Sequence, residues 1–322
     1  MTQNHAGLSP AFVETVAGLT AGSVATLVVH PLDIVKTRMQ IYQRNAANSH
    51  QPLTTISLIR TLTATPHPVA SLYRGLTPNL LGNASSWASF FFFKARAERA
   101  ILTLKSTSPN VSNASLTPQD YFLASGVAGI FTQSLTNPIW VMKTRMLSSD
   151  RTAVGAYPSM WSGAAHLLRN EGWRGFYRGL GISLVGVAHG AVQFAVYDPV
   201  RRLYFARRRL SAPQDRESGD RGATQQQRMS NDATIVISSI AKLVAGTVTY
   251  PYQVIRSRLQ NYDADARFGR GIQGVVRRTW MEEGWRGFYR GIIPGVVRVL
   301  PATWITFLVY ENMKFYLPQW TS

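Results

Sequence analysis

The sequence predicts an all-α membrane protein: six transmembrane helices in three tandem αα repeats with threefold pseudo-symmetry, and a short surface helix inside each repeat. Three observations carry this reading. A short segment recurs at intervals of roughly 110 residues, as PLDIVKTRMQ (Pro31–Gln40), NPIWVMKTRML (Asn137–Leu147) and YPYQVIRSRLQ (Tyr250–Gln260). A second phrase follows each copy: LYRGL (Leu72–Leu76), EGWRGFYRGL (Glu171–Leu180) and EGWRGFYRGI (Glu283–Ile292). The stretches Ala11–Pro31, Tyr121–Met142 and Ala233–Ile255 are long and almost uncharged. None is a clean apolar run of twenty, which is what helices lining a polar cavity give, since only their lipid side must be apolar. The repeats divide the chain at 1–115, 116–230 and 231–322, three units of one membrane domain.

Each repeat reads as long helix, short amphipathic helix, long helix. The first long helices are expected at Pro10–Ile41, Thr117–Ser149 and Asn231–Tyr262, each with its signature proline past the midpoint. A proline there removes a hydrogen bond and kinks the helix, so three such helices converge at one end. The short elements are expected at Pro52–Thr63, Tyr157–Arg169 and Gly269–Trp280, amphipathic enough to lie on a membrane surface. The second long helices follow the YRG phrases and run to Leu104, Leu210 and Leu317. Ser106–Ser115 and Ser211–Ser230 are polar connectors, the second flexible by composition. Small residues four apart, Gly18 and Gly22, and Ser125 and Gly129, suit close helix approach in lipid.

The net charge of +18 is spread over all three repeats. It points to anionic solutes or lipid and, without a helix-turn-helix, zinc-finger or aromatic RNA-binding signature, away from nucleic acid. Cysteine is absent, so disulfides, thiolate metal sites and a cysteine nucleophile are excluded. The first fourteen residues hold no Lys or Arg, so no basic presequence or secretory signal is expected. The six histidines show no metal-ligand spacing, and no nucleophile–base set or phosphate loop is visible. The chain is therefore not expected to be an enzyme or to hold a metal or prosthetic group.

Beyond each proline, one position can carry an acid and the third residue after it a base, on one helical face. In a ring of three helices, each acid can pair with the next helix's base and close the convergent end. The copies are unequal: the acidic position holds Asp33, Trp140 and Gln253, and the basic one Lys36, Lys143 and Arg256. One full ion pair, Asp33 with Lys143, and a Gln253–Lys36 hydrogen bond are expected. Gln40 and Gln260 can brace such links, whereas Leu147 cannot. The alternative reading is a set of interfacial cations snorkelling to headgroups. At the other helix ends, Tyr197, Asp198 and Arg201, and Tyr310, Glu311 and Lys314, repeat an aromatic, an acid and a base. The first repeat departs with Phe93, Lys94 and Ala97, leaving Lys94 to meet a neighbour's acid.

These residues together resemble the mitochondrial carrier family over nearly the whole chain. The resemblance implies a monomeric six-helix transporter of the inner membrane, alternating between cytoplasm-open and matrix-open states among membrane lipids, with cardiolipin a candidate partner. It implies a matrix gate on Asp33, Lys36, Lys143 and Arg256, with Gln40, Gln253 and Gln260 as its neutral members. A cytoplasmic gate falls on Asp198, Arg201, Glu311 and Lys314, with Lys94, Tyr197 and Tyr310 beside them. Membership of the family also leaves a peroxisomal location open.

The family's central contacts lie about seven residues beyond the YRG glycine, which here implies Gly82, Asn83, Gly186, Val187 and Arg298. Lys242 is the single charge between Ala233 and Ile255. It reads as a substrate group or as a helix contact, because an ion at such depth is costly without a role. Two cations suit an anionic solute that Arg grips bidentately. NPIWVMKTRM, AHGAVQFAVYD, RVLPATWITFLVYENM and SWASFFFF are similar to the folate/FAD branch of the family. Trp87 and Trp304 can stack a planar ring, and Asn83 or Gln193 can bond its edge. FAD is the expected cargo, carried rather than kept. Folates, NAD and pyrimidine nucleotides are the alternatives, and a non-transporting membrane receptor or adaptor is the alternative of a different class.

Overall fold

The computed structural model describes residues 10–42, 54–106, 115–149, 156–211, 231–262 and 264–320, and among these every regular element is helical. The connectors expected at Ser106–Ser115 and Ser211–Ser230 fall largely outside the described residues, as do the first nine residues and Pro52.

In the first repeat, α1 (Pro10–Ile41) is followed by α2 (Thr55–Thr63), α3 (Pro68–Leu72) and α4 (Leu76–Ser106). In the second, α5 (Pro118–Ser148) leads to α6 (Met160–Phe176), α7 (Leu180–Val185), a 3-10 turn over Gly186–Ala188, and α8 (His189–Ser211). In the third come α9 (Asn231–Val248), α10 (Tyr250–Gln260), α11 (Ala264–Phe268), α12 (Gly271–Gly287) and α13 (Ile292–Trp320). Capping boxes start the elements: Thr54 with Ser57 at α2, Thr117 with Asp120 at α5, and Ser159 with Ser162 at α6. Lys105 also reaches Asp120 at 2.5 Å, tying the end of α4 to the start of α5.

Two of the expected long helices are interrupted. The stretch expected at Asn231–Tyr262 is two helices meeting at Thr249, because Pro251 stands at the second position of α10, where its missing N–H leaves nothing unsatisfied. Pro31 and Pro138, by contrast, lie inside α1 and α5. The second long helix of repeat two breaks over Gly186–Ala188, beside the glycine-containing run GVAHGA. The short helices α6 and α12 run further than expected, but Gly172 (φ 65°) and Gly284 (φ 61°) interrupt their helical geometry, so each bends right after its glutamate.

The chain divides into two compact units, Met1–Val187 with Tyr250–Ser322, and Ala188–Thr249. In the first, α1 packs mainly on α13 and α4 on α5, while α1, α5 and α10 also meet one another; in the second, α8 packs on α9. Small residues line the odd helices one step before the positions expected. Gly18 and Gly22 have open space where a side chain would go, and the buried stripes are instead Ala17, Ala21 and Ala25, then Ala124 and Ala128, then Ala241 and Ala245. Gly129 does mark a close approach, since a Cβ there would lie 2.8 Å from Val187.

The buried apolar clusters of the first unit gather beyond the prolines. Ile34, Val35, Leu58, Leu62 and Leu147 join α1, α2 and α5; Val141, Met142, Met146, Leu167 and Phe176 join α5 and α6; Ile255, Leu259, Phe268, Val275 and Phe288 seat α11 and α12 on α10. Away from that end the helices are largely bare. Val13–Ile41, Leu180–Arg207 and Ile292–Leu317 are long and apolar enough to cross a membrane.

Candidate functional site

The residues beyond the three prolines converge on one polar cluster built by α1, α5 and α10. Asp33 sits at its centre, with its side chain only 6% exposed. Lys143 approaches Oδ2 at 3.6 Å, and Asn79 Nδ2 donates to the same oxygen at 3.3 Å. The other oxygen, Oδ1, is taken by Arg298 Nη1 of α13. Asp33 thus pairs with two cations, where sequence reasoning expected one. Lys36 Nζ donates to Gln253 Oε1 at 2.8 Å and lies 5.5 Å from the centre of the Tyr250 ring. Arg256 stands over the Trp140 ring at 5.9 Å, and Lys143 over the same ring at 5.0 Å.

Three arginine-to-carbonyl hydrogen bonds run around this cluster in one rotational sense. Arg38 Nε donates to the carbonyl of Leu147 (3.1 Å), Arg145 Nε to that of Gln260 (3.2 Å), and Arg258 Nε to that of Gln40 (3.0 Å). Each arginine so closes an otherwise orphaned carbonyl at its neighbour's helix end. Gln40 and Gln260 brace through hydroxyls, Gln40 Oε1 accepting from Ser257 (2.7 Å) and Gln260 Oε1 from Thr144 (3.0 Å), while Gln40 also donates to the Tyr250 hydroxyl. The residue before each proline anchors the YRG turn of its own repeat: His30 Nε2 bonds Arg74 O at 2.9 Å, Asn137 Nδ2 bonds Phe176 O at 2.8 Å, and Tyr250 Oη bonds Arg290 O at 3.0 Å.

In repeats two and three the glutamate of the EG pair joins these arginines. Arg145 grips Glu171 with both Nη atoms, at 2.6 and 2.9 Å, and Glu283 pairs with Arg258 at 2.8 Å and Arg290 at 2.7 Å. Partial burial alone would raise the Glu171 carboxyl; the hydrogen bond and charge of Arg145 and the charge of Arg178 overcome it and hold the group below the usual range.

The match of the chain to known proteins follows this periodicity. The family model described as mitochondrial carrier protein matches three times, at residues 8–104, 114–208 and 227–319. The chain belongs to the mitochondrial carrier family. The family's members are membrane transporters rather than enzymes, and the fold of this chain is the family's all-α three-repeat fold. The mitochondrial FAD carrier protein of Saccharomyces cerevisiae is 37% identical over 95% of this chain and 97% of its own length. The chloroplastic folate transporter 1 of Arabidopsis thaliana is 32% identical over 94% of both chains. The chloroplastic nicotinamide adenine dinucleotide transporter 1 of the same plant is 32% identical over 94% of this chain and 90% of its own.

Within this carrier, the residues expected to touch cargo are differently placed. Arg298 joins the Asp33 cluster. Gly82 is buried and packs against the Trp140 ring, to which an added Cβ would come within 3.4 Å; Gly186 meets the Tyr252 ring in the same way at 2.9 Å. Asn83 donates to Thr26 Oγ1 at 3.1 Å. Trp87 and Trp304 are 61% and 65% exposed, Trp87 stacking on Phe91 of its own helix. Val187 fills the space over Gly129. In the second unit, Lys242 lies exposed on α9, Gln193 is half-buried on α8, and His189 Nδ1 lies 2.8 Å from Thr249 Oγ1.

Of the residues expected at the opposite helix ends, Lys94, Lys314 and Arg201 find partners close by. Lys94 pairs with Glu98 one turn along α4 at 3.7 Å, not with a neighbour's acid. Lys314 pairs with Glu14 of α1 at 3.7 Å and lies over Tyr310, while Glu311 is exposed. Arg201 lies over Phe205 of its own helix, with Tyr197 half-buried and Asp198 exposed nearby. Asn79, His30, Tyr250 and Glu14 were missed by sequence reasoning. For His30 and Tyr250 the signal was present, as the polar residue before each signature proline.

Proposed function

We propose that this carrier moves FAD across the mitochondrial inner membrane as a monomer by alternating access. In this reading the cluster around Asp33, Lys36, Gln40, Lys143, Gln253, Arg256 and Gln260 is the matrix gate. Glu311 and Lys314, with Lys94 and Tyr310, belong to the cytoplasmic one. The observation that carries an anionic cargo is Arg298: Asp33 engages one Nη, and the rest of the planar fork makes no other hydrogen bond among the described residues, with the side chain 35% exposed. A guanidinium held on one side and open on the other suits bidentate capture of a phosphate. The 37% identity to a protein named an FAD carrier supports the flavin nucleotide over folate and NAD, whose named transporters stand at 32%. Gly82, Asn83, Gly186 and Val187 complete the proposed route, with Trp87 and Trp304 as ring-stacking candidates.

The test is a thermal-shift panel of FAD, FMN, folates, NAD and nucleoside triphosphates on the pure protein, followed by uptake into liposomes. A cargo that prefers the folded state raises its melting temperature. FAD is expected to give the largest shift and to be taken up. Stabilisation and uptake by another solute instead would move the cargo to that solute, and uptake of none above protein-free liposomes would remove the transport reading.

A further inference from the structure

We propose that Trp140 is a working link of the matrix gate, its indole face standing where a carboxylate stands in repeat one. The inference rests on the gate reading above and concerns how that gate is held shut. Going round the cluster, repeat one reaches repeat two through the Asp33–Lys143 ion pair, and repeat three reaches repeat one through the Gln253–Lys36 hydrogen bond. The remaining junction, repeat two to repeat three, has no carboxylate. Among the described residues no acid lies within ion-pair distance of Arg256, and its charged end faces the Trp140 ring at 5.9 Å. Lys143 lies over the same ring at 5.0 Å.

A tryptophan face is the best aromatic partner for a cation, and the attraction strengthens where water is excluded. Both cations are in such a place: the Lys143 side chain is 17% exposed and Arg256 half-buried. Gly82 lies against the ring: an added Cβ would reach it at 3.4 Å and Ile139 Cγ2 at 3.3 Å, so the smallest residue leaves the indole its place. The junction therefore has three matched parts: a large quadrupole, two cations on it, and a glycine behind it.

An aromatic link does something a carboxylate cannot. It holds Arg256 without neutralising it, so Arg256 adds its charge beside Lys36 and Lys143, while among the described residues Asp33 is the one carboxylate that pairs with the cations of this cluster, Lys143 and Arg298. The gate closes while its positive potential stays turned toward an anionic cargo.

The test uses site-specific incorporation of tryptophans bearing one, two and three ring fluorines at position 140. Fluorination drains the π face stepwise without shrinking the ring, so a cation–π link weakens in proportion while packing is kept. The melting temperature of the pure carrier is expected to fall with each fluorine. Uptake into liposomes empty of counter-substrate is expected to rise roughly twofold or more across the series. Trp140→Phe should fall between wild type and Trp140→Leu in both readouts. A flat melting series, or Phe and Leu variants that behave alike, would reduce Trp140 to a packing residue. The melting series needs no cargo, so a falling series with no transported solute would overturn the transport reading and keep the link. A flat series in a protein that carries FAD would do the opposite.

Discussion

Arg298 and Asp33 form the contact on which most of the proposed mechanism turns. Their pairing couples a residue proposed to bind cargo with the one carboxylate of the proposed matrix gate, so removing Arg298 has two effects at once. The cargo loses a charge-assisted partner worth about 1.5–3 kcal/mol, or roughly 10- to 150-fold in binding. A buried carboxylate also loses one of its two cations, so the folded state weakens as well. Arg298→Ala is therefore expected to cut FAD uptake at least tenfold and to lower the melting temperature. Arg298→Lys should restore much of the melting temperature and little of the uptake, because an ammonium satisfies Asp33 but lacks the planar fork. Uptake by the lysine variant near the wild-type level would show that charge alone is enough. The sequence made Arg298 conspicuous as a charge within an apolar helix, yet could not show its partner. Asp33 lies 265 positions away, and pairing at that separation depends on how α13 sits against α1.

At the scale of elements, the YRG and EG glycines set the turns that carry each repeat from its short helix to its second long one. Gly75, Gly179 and Gly291 all have φ between 73° and 79°, a region that costs other residues roughly 1–2 kcal/mol. Gly291 carries a further constraint, since an added Cβ would come 2.9 Å from the backbone oxygen of Lys36. Gly172, at φ 65°, has open space around it. Gly172→Ala should thus cost about 1–2 kcal/mol and Gly291→Ala distinctly more, with gate function lost alongside; equal melting temperatures for the two would contradict this. A second element-scale prediction concerns acid. Glu171 titrates below its ordinary value, so its contribution is complete above the usual glutamate range and is lost as the pH falls through the lowered value. The melting difference between wild type and Glu171→Gln should be largest near neutrality and shrink on acidification; a constant difference would mean that the Arg145–Glu171 pair adds no pH-dependent stability. The helices were legible because their apolar spacing, prolines and YRG glycines are local signals. The break at Gly186–Ala188 was not, and the sequence could not show that Gly186 meets the Tyr252 ring there. The arginine ring was half legible. Arg38, Arg145 and Arg258 are arginine in every copy while their neighbours vary, but that their target is a main-chain carbonyl no side-chain pattern could reveal, and this is why Leu147 can stand where Gln40 and Gln260 do.

For the molecule as a whole, the proposed gate closes on three unlike links in a nearly symmetric frame: an ion pair, an aromatic face and a neutral-acceptor hydrogen bond. The frame is held by the three arginine-to-carbonyl bonds, which repeat faithfully, while the links proposed to part when the gate opens differ at every junction. The Lys36 donor is already charged, so replacing its neutral amide acceptor by a carboxylate turns a charge-assisted bond into an ion pair and moves the balance by roughly 1 kcal/mol. That corresponds to about fivefold in the population of the opened state. Gln253→Glu places a carboxylate 2.8 Å from Lys36 in the present geometry and so should favour the closed gate. Cargo binding can offset that penalty, whereas an empty carrier has nothing to offset it with. Uptake into liposomes without internal cargo is therefore expected to fall about fivefold, while exchange against internal cargo falls less, so the ratio of exchange to net uptake rises. An unchanged ratio in Gln253→Glu would mean that the opening of this end does not limit the empty carrier's return. The weak third link would then have to be read as a matter of cargo fit and not of coupling.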